Sequence, residues 1–197
     1  MSTIRSLART AAFLGSVVIL VAGAVLLCCA SVGCGTAKFD EFDNSNLPVT
    51  PLEELHTTGV APEVNIEDYR LVVDGLVETS LSLTYEAILA YPTVTEVVLL
   101  ICPGVFTDNA EWTGVPVTTL LAEAGIKPEA SKVTFHALGT EYQVVLPLDL
   151  VQHDGVFLAH TVNGQVLPAE HGYPLRLVVR GNYGHDWVKW VTRIEVV

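Results

Sequence analysis

The sequence predicts an α+β domain, with mixed or antiparallel sheets and short helices, behind an N-terminal hydrophobic helix. Three observations carry this. Strand-like runs outnumber helical ones. Few connections are long enough for the helical crossovers that parallel strands need. Asn163-Gly164 lies between two apolar runs, Val156-Phe-Leu-Ala-His-Thr-Val162 and Gln165-Val-Leu167, and this is the strongest short hairpin signal in the chain.

Residues 1–37 read as a signal or membrane-anchor segment. Nothing from Ala11 to Ala37 is charged, and about 20 apolar residues span a bilayer. Arg5 and Arg9 precede the segment and Asp40, Glu41 and Asp43 follow it, which sets the N-terminus in the cytoplasm and the domain on the extracytoplasmic side. Ser31-Val-Gly-Cys34 has small residues before a Cys, as at a lipoprotein cleavage site, although Ser31 stands where an aliphatic residue is usual. Residues 38–59 read as a linker that becomes a covering arm, and residues 60–197 as the folded domain. Within the arm, Leu55-His56-Thr57-Thr58-Gly59 is either a ligand contact or plain loop.

The domain opens with an alternating strand from Tyr69 to Val77 that bends at Gly75. A short helix over Thr84–Ala90 follows, capped by Ser82 or Thr84 and stopped by Pro92. The apolar run Val97-Val-Leu-Leu-Ile-Cys102 reads as a buried strand that Pro103-Gly104 ends, so Cys102 is expected where a strand opens into a loop. Thr118–Ala124 is a second short helix, with Gly125 as its stop. Lys132–Ala137 and Glu141–Leu146 are strands about a turn at Gly139. After the Asn163-Gly164 hairpin, Leu175–Val179 and Trp190–Val197 complete the strands.

The chain is half hydrophobic, with 22 acidic and 10 basic side chains and a net charge of −12. So acidic a balance argues against nucleic-acid binding, because little is available to displace counterions from phosphates. It also disfavours long-range capture of anionic substrates. Of four cysteines, Cys28, Cys29 and Cys34 belong to the leader, so Cys102 stands alone in the domain. A lone thiol in an exported domain is inert core, a reactive group or a metal ligand.

Between Pro168 and Trp190 the chain gathers His171, His185, Arg176, Arg180, Lys189, Trp187 and Trp190 among three glycines, in a protein otherwise poor in base. Cations on Gly-punctuated loops suit a bound anion such as a phosphate, which Arg can grip with two hydrogen bonds. The alternative for any one of them is structural: an Arg176–carboxylate pair and core tryptophans.

Five motifs then occur in order: Cys102-Pro-Gly, Trp112-x-Gly-Val-Pro116, Asn163-Gly-x-x-Leu-Pro168, His171-Gly-Tyr-Pro-Leu-Arg176-Leu-Val and Tyr183-Gly-x-x-x-Val-Lys189-Trp190. Together with Tyr69-Arg-Leu-x-Val-x-Gly-Leu-Val77, they resemble the sulfite-oxidase-like molybdopterin domain over roughly Val60 to Val197. The resemblance implies a mononuclear molybdenum, held by the dithiolene sulfurs of molybdopterin and one protein thiolate. Cys102 matches that catalytic metal ligand, and a soft thiolate suits such a metal. His171 and Arg176 would contact the pterin or its phosphate, and Lys189, with the backbone of Trp187 and Val188, its other side. His56 and Thr57 fall on the arm that crosses the cofactor, and Ala137 at a strand end that meets it. The implied chemistry is oxygen-atom transfer on a small sulfur substrate, with electrons exchanged through a separate haem-containing partner.

Two departures bear on this reading. No cation follows Cys102 until Lys127, which turns the expectation from sulfite towards a neutral S-oxide or another small substrate. Arg5-Ser-Leu-Ala-Arg9 is not a twin-arginine pair, although exported proteins carrying this cofactor generally leave the cytoplasm folded. A non-catalytic module that keeps the fold and binds a pterin, ligand or partner is the alternative function. An adhesion-like β-rich domain would leave the basic cluster unexplained.

Overall fold

The structure is a computed structural model that describes residues 42–197. The leader, with its expected hydrophobic helix and three of the four cysteines, lies outside the described residues. Among the described residues no helix is long and apolar enough to cross a membrane.

Ten strands and three short helices build two sheets: β1 (Leu71–Gly75), β2 (Leu81–Leu83), α1 (Tyr85–Leu89), β3 (Val94–Cys102), β4 (Phe106–Pro116), α2 (Val117–Ala124), β5 (Lys132–Ala137), β6 (Gln143–Pro147), α3 (Leu148–Val151), β7 (Val156–Val162), β8 (Gln165–Val166), β9 (Arg176–Val179) and β10 (Val191–Val196). One sheet runs β2-β1-β10-β5-β6; the other runs β3-β4-β7-β8, with β9 also paired to β7. Only β1 and β10 pair in parallel among these strands, with Val72 opposite Arg193. The class is therefore α+β with one mixed and one antiparallel sheet, as the sequence predicts.

Local chemistry explains most of the elements. Thr84 caps α1, its Oγ1 accepting from the Ala87 N–H at 3.1 Å. Gly125 ends α2 with a φ of 71°, a conformation few other residues reach cheaply. Asn163 (φ 49°) and Gly164 (φ 71°) both take the left-handed conformation that a two-residue hairpin requires. In β3, Val98, Leu99 and Leu100 are buried in succession, which matches a strand covered on both faces and accounts for its unbroken apolar run. Trp112, Phe135, Phe157, Leu71 and Ile194 anchor the core. Burying each such side chain contributes about 1.5–3 kcal/mol.

The expected loop after Cys102 is absent. Cys102 pairs with Phe106 across a three-residue turn, and the chain runs straight back as β4, the longest strand. Thr107-Asp-Asn109 looks like loop composition because it is polar. The burial of Asp108 and Asn109 is made possible by the arm. Asn109 Nδ2 donates to the carbonyls of Leu47 (3.1 Å) and Pro48 (3.2 Å), its side-chain oxygen accepts from Asn44 (2.8 Å), and its backbone exchanges bonds with Thr50. Asn163 joins from the hairpin, donating to Thr50 O at 2.9 Å and accepting from Glu111 N at 3.0 Å. The polar stretch is thus the seam that holds the arm onto the second sheet. The four-residue helix α3, also absent from the sequence expectation, follows β6 directly.

Candidate active site

Cys102 ends β3 and borders a cleft of about 440 Å³ whose walls come from both sheets and the arm. The thiol is half-buried. Gly184, in the short turn Gly184–Asp186, lies directly against it: a methyl group there would sit 2.6 Å from Cys102 Sγ. Gly184 does not have a positive φ, so space for the sulfur, rather than backbone conformation, is what calls for glycine. Burial pushes the Cys102 pKa up, and Asp108 adds to this, while Arg176 and Lys189 oppose it. The free thiol is therefore held in its protonated form, and a soft cation that bound it would displace the proton.

Arg176 begins β9, paired with Ala159 of β7. Its guanidinium lies 5.3 Å from the Trp112 ring and 5.7 Å from the Trp187 ring. Trp187 is fixed in turn by its indole N–H, which donates to Val179 O at 3.0 Å. Only 6% of Arg176 is exposed; its Nη1 donates to His171 O at 3.0 Å, and its Nε has no partner. Burial lowers its pKa to about 10, against the favourable charges of Cys102 and Asp108. A buried donor left unmade costs about 1–3 kcal/mol, and Trp112 Nε1, His160 Nε2 and Arg180 Nε are in the same state among the described residues.

Lys189 lies over the Trp190 ring at 4.6 Å and donates to the carbonyls of Thr58 and Glu170, the latter at 2.9 Å. Burial, with the charge of Arg176 added, brings its pKa down to about 8. Two cations thus line one half-dry cleft, and the charge of Arg176 disfavours that of Lys189, which is the electrostatic complement of an anion.

His56 comes from the arm. Its backbone N–H donates to Asp108 Oδ2 and its Nδ1 meets Asp108 Oδ1, both at 2.8 Å, while its ring stacks on Phe106 with centroids 4.9 Å apart and planes 6° from parallel.

The structure gathers His56, Cys102, Ala137, Arg176, Trp187 and Lys189 around one cleft. His171, Thr57 and Val188 do not line it. His171 is buried behind Arg176 and supplies the carbonyl that holds it, and burial, followed by the charge of Arg176, keeps its ring neutral. Val188 is fully buried, its carbonyl accepting from Leu177 N at 2.8 Å. Thr57 is exposed.

Sequence reasoning missed Asp108, Phe106, Thr140 and Tyr142. Phe106 follows from pairing opposite Cys102, once the hairpin is recognised. Tyr142 and Thr140 carry no local signal: they arrive from the β5–β6 turn of the other sheet, where Tyr142 donates to His185 O at 2.6 Å and closes one wall.

Among the described residues no three His, Cys, Asp or Glu side chains converge as a metal-binding set. A metal at Cys102 would take its remaining ligands from a cofactor. The bare Gly184 beside the sulfur and the two cations lining the cleft fit a group that is anionic and presents a thiophilic centre.

A single cysteine on a strand end, facing a cation-walled cleft between two sheets, defines a thiolate-centred cofactor site on an α+β scaffold. The chain belongs to the oxidoreductase molybdopterin-binding domain family, whose model matches residues 58–197, and its fold is of the sulfite-oxidase type. It is 29% identical over 164 residues to mitochondrial sulfite oxidase of Drosophila melanogaster, covering 68% of this chain and 28% of that protein. It is 30% identical over 134 residues to the putative protein-methionine-sulfoxide reductase subunit YedZ1 of Azospira oryzae, covering 68% of this chain and 51% of the relative. Among solved structures, the sulfane dehydrogenase SoxCD of Paracoccus pantotrophus superposes with a TM-score of 0.65 at 37% identity, over 69% of this chain and 40% of that one. The chain thus spans about half or less of the length of each of these three.

Proposed function

We propose that this protein is a molybdenum-cofactor oxidoreductase that transfers an oxygen atom to or from a small sulfur compound, exchanging electrons with a separate haem-containing partner. Bound in the cleft, the cofactor would supply a two-electron redox centre able to give up or accept an oxygen atom. Cys102 would be the only protein ligand to the metal, and Gly184 keeps the sulfur's approach clear. Arg176 and Lys189, both lining the cleft, would neutralise the cofactor's phosphate. The carbonyl of His171 and the two tryptophan rings hold the Arg176 guanidinium in place. Phe106, Tyr142 and Trp190 line the same cleft as the thiolate.

The substrate we infer is uncharged, such as an S-oxide. The turn after Cys102 carries no cation, and both cleft cations are committed to the cofactor in this reading. A net charge of −12 also works against capturing an anion. Anchoring through the leader, with the domain on the extracytoplasmic side, completes the proposal and rests on the leader's apolar run and flanking charges.

The observation that carries the reading is the convergence of the Cys102 thiol with two cations, Arg176 and Lys189, on one cleft. The test is molybdenum and pterin per chain, in protein purified from a host that makes the cofactor, beside Cys102→Ala. We expect near-stoichiometric metal in the wild type and almost none in the variant. Folded wild-type protein without metal, from cytoplasmic as well as exported expression, would sink the enzyme reading in favour of a non-catalytic binding module.

A further inference from the structure

Asp108 is one of the few charged side chains buried in the described domain, at 2% exposed, and no motif singled it out. Burying a carboxylate costs several kcal/mol unless donors converge on it. Here two do, and both belong to His56: the backbone N–H on Oδ2 and the ring Nδ1 on Oδ1, each at 2.8 Å. The charge of Arg176 lies close enough to interact with it as well. An ionised carboxylate only accepts, so the nitrogen that faces it must carry the proton. Which ring nitrogen of a histidine is protonated is set in this way by the bond the other one makes. Phe106 stacks on one face of the ring.

We propose that Asp108 is a positioning residue that locks His56 in the Nδ1–H tautomer, so that the ring presents an unprotonated Nε2 to the cleft as an acceptor for an N–H or O–H group of the bound molecule. This deepens the cofactor reading of the cleft and rests on it for the identity of that molecule. The cleft then holds two donors, Arg176 and Lys189, for the anionic end of a ligand. His56 is an acceptor for a part of the ligand that carries protons, and a pterin ring, rich in N–H groups, has such a part. The two Asp108 bonds act together, because the one to the backbone fixes where the arm crosses and the one to the ring fixes what it offers there.

The test begins on full-length, metal-free protein labelled with nitrogen-15. Long-range proton–nitrogen spectra, recorded well above the ordinary histidine pKa of about 6.5, distinguish a protonated ring nitrogen from a bare one. The His56 signals are assigned by their loss in His56→Gln. We expect Nδ1 protonated and Nε2 bare. Asp108→Asn keeps the shape, but its oxygen can serve only one of the two donors. With that oxygen on the backbone N–H, its amide donates to Nδ1, and the ring changes to the Nε2–H form. A wild-type ring already protonated at Nε2, or a tautomer indifferent to Asp108→Asn, overturns the proposal. The wild-type spectrum decides even if the variant fails to fold. In cofactor-loaded protein, Asp108→Asn should release the pterin roughly tenfold faster, since a donor now meets a donor. An unchanged release rate from a ring that has changed tautomer overturns the acceptor role. Wild-type protein that never takes up molybdenum sinks the cofactor reading alone and leaves the tautomer result standing.

Discussion

Two arginines on two strands show how differently this protein treats the same side chain. Arg193 on β10 lies at the surface of the mixed sheet, with its Nε on both oxygens of Asp74 at 2.9 and 3.0 Å and its Nη atoms on Glu195 at 3.1 and 3.2 Å. The hydrogen bond to Asp74, above all, raises its pKa. Arg176 on β9 is sealed between two indoles with one carbonyl partner, an orphaned Nε and a pKa lowered to about 10. Arg193 has its donors satisfied within the fold. Arg176 has an unpartnered buried nitrogen, as do Trp112, His160 and Arg180 among the described residues, and differs from them in lining the cleft beside Cys102. A donor left open inside a cleft costs stability, and it is explicable as the protein's half of an interaction with something else.

The comparison is broken most directly by replacing the buried member. Arg176→Met keeps length and apolar packing while removing a charge whose burial is only partly compensated, so stability should stay level or rise by about 0–2 kcal/mol. Cofactor occupancy should fall at least tenfold, because a charge-assisted hydrogen bond contributes about 1.5–3 kcal/mol. Thermal unfolding and metal analysis on the same preparation check both halves. A variant that loses stability and keeps its cofactor would make Arg176 a structural residue like Arg193.

The sequence displays the two arginines alike, and this limits what it can disclose. Composition near the C-terminus drew attention to the basic cluster, and the apolar run with its Pro-Gly end located Cys102, because both signals are local. The caps at Thr84 and Gly125 and the Asn163-Gly164 hairpin were legible for the same reason. β4 was not, since Thr107-Asp-Asn109 is polar, and although it pairs with Leu99–Ile101 of β3, its buried side chains find partners only in residues 44–56, more than 50 positions earlier. Asp108 was invisible with it. Tyr142 reaches the cleft through the pairing of β5 with β6 and of β5 with β10, and no pattern around it announces that.

Gly184 sharpens the contrast between a surface built for packing and one built around a sulfur. Gly184→Ala drives a methyl to within 2.6 Å of Cys102 Sγ and 3.0 Å of Leu100 Cδ1, and overpacking of this kind costs about 1–3 kcal/mol. Most of that cost should vanish in a Cys102→Ala background, where the sulfur is gone. A double-mutant cycle by denaturant unfolding gives the coupling directly. Equal costs in both backgrounds would mean that the methyl clashes with the strand rather than the thiol.

The buried histidines extend the pattern of unsatisfied interior polar groups. His160 Nε2 has no partner, and burial lowers the pKa of His160 and of His171. Below the ordinary value of about 6.5 the unfolded chain takes up protons that the folded rings refuse, so stability is lost as pH falls from there through the lowered folded values. Unfolding midpoints measured between neutral pH and the acid limb should decline accordingly, and His160→Gln should flatten part of the slope. A slope unchanged by that substitution would assign the acid sensitivity to His171 and the carboxylates.

The smallest effect belongs to the satisfied member of the opening pair. Arg193→Met removes ion pairs that are about two-fifths exposed, and pairs of that kind contribute about 0–1 kcal/mol in water, less at high salt. Asp74 and Glu195 would be left facing each other across the β1–β10 register, where they are directly opposed. The loss should therefore sit at the upper end of that range at low ionic strength and shrink as salt is added. Cofactor occupancy should not change, because Arg193 does not line the cleft. A salt-insensitive loss would show that the guanidinium acts through packing over the sheet, and a fall in occupancy would show that the two arginines are coupled through β10, which carries Val191 beside Ala137 at the cleft's edge.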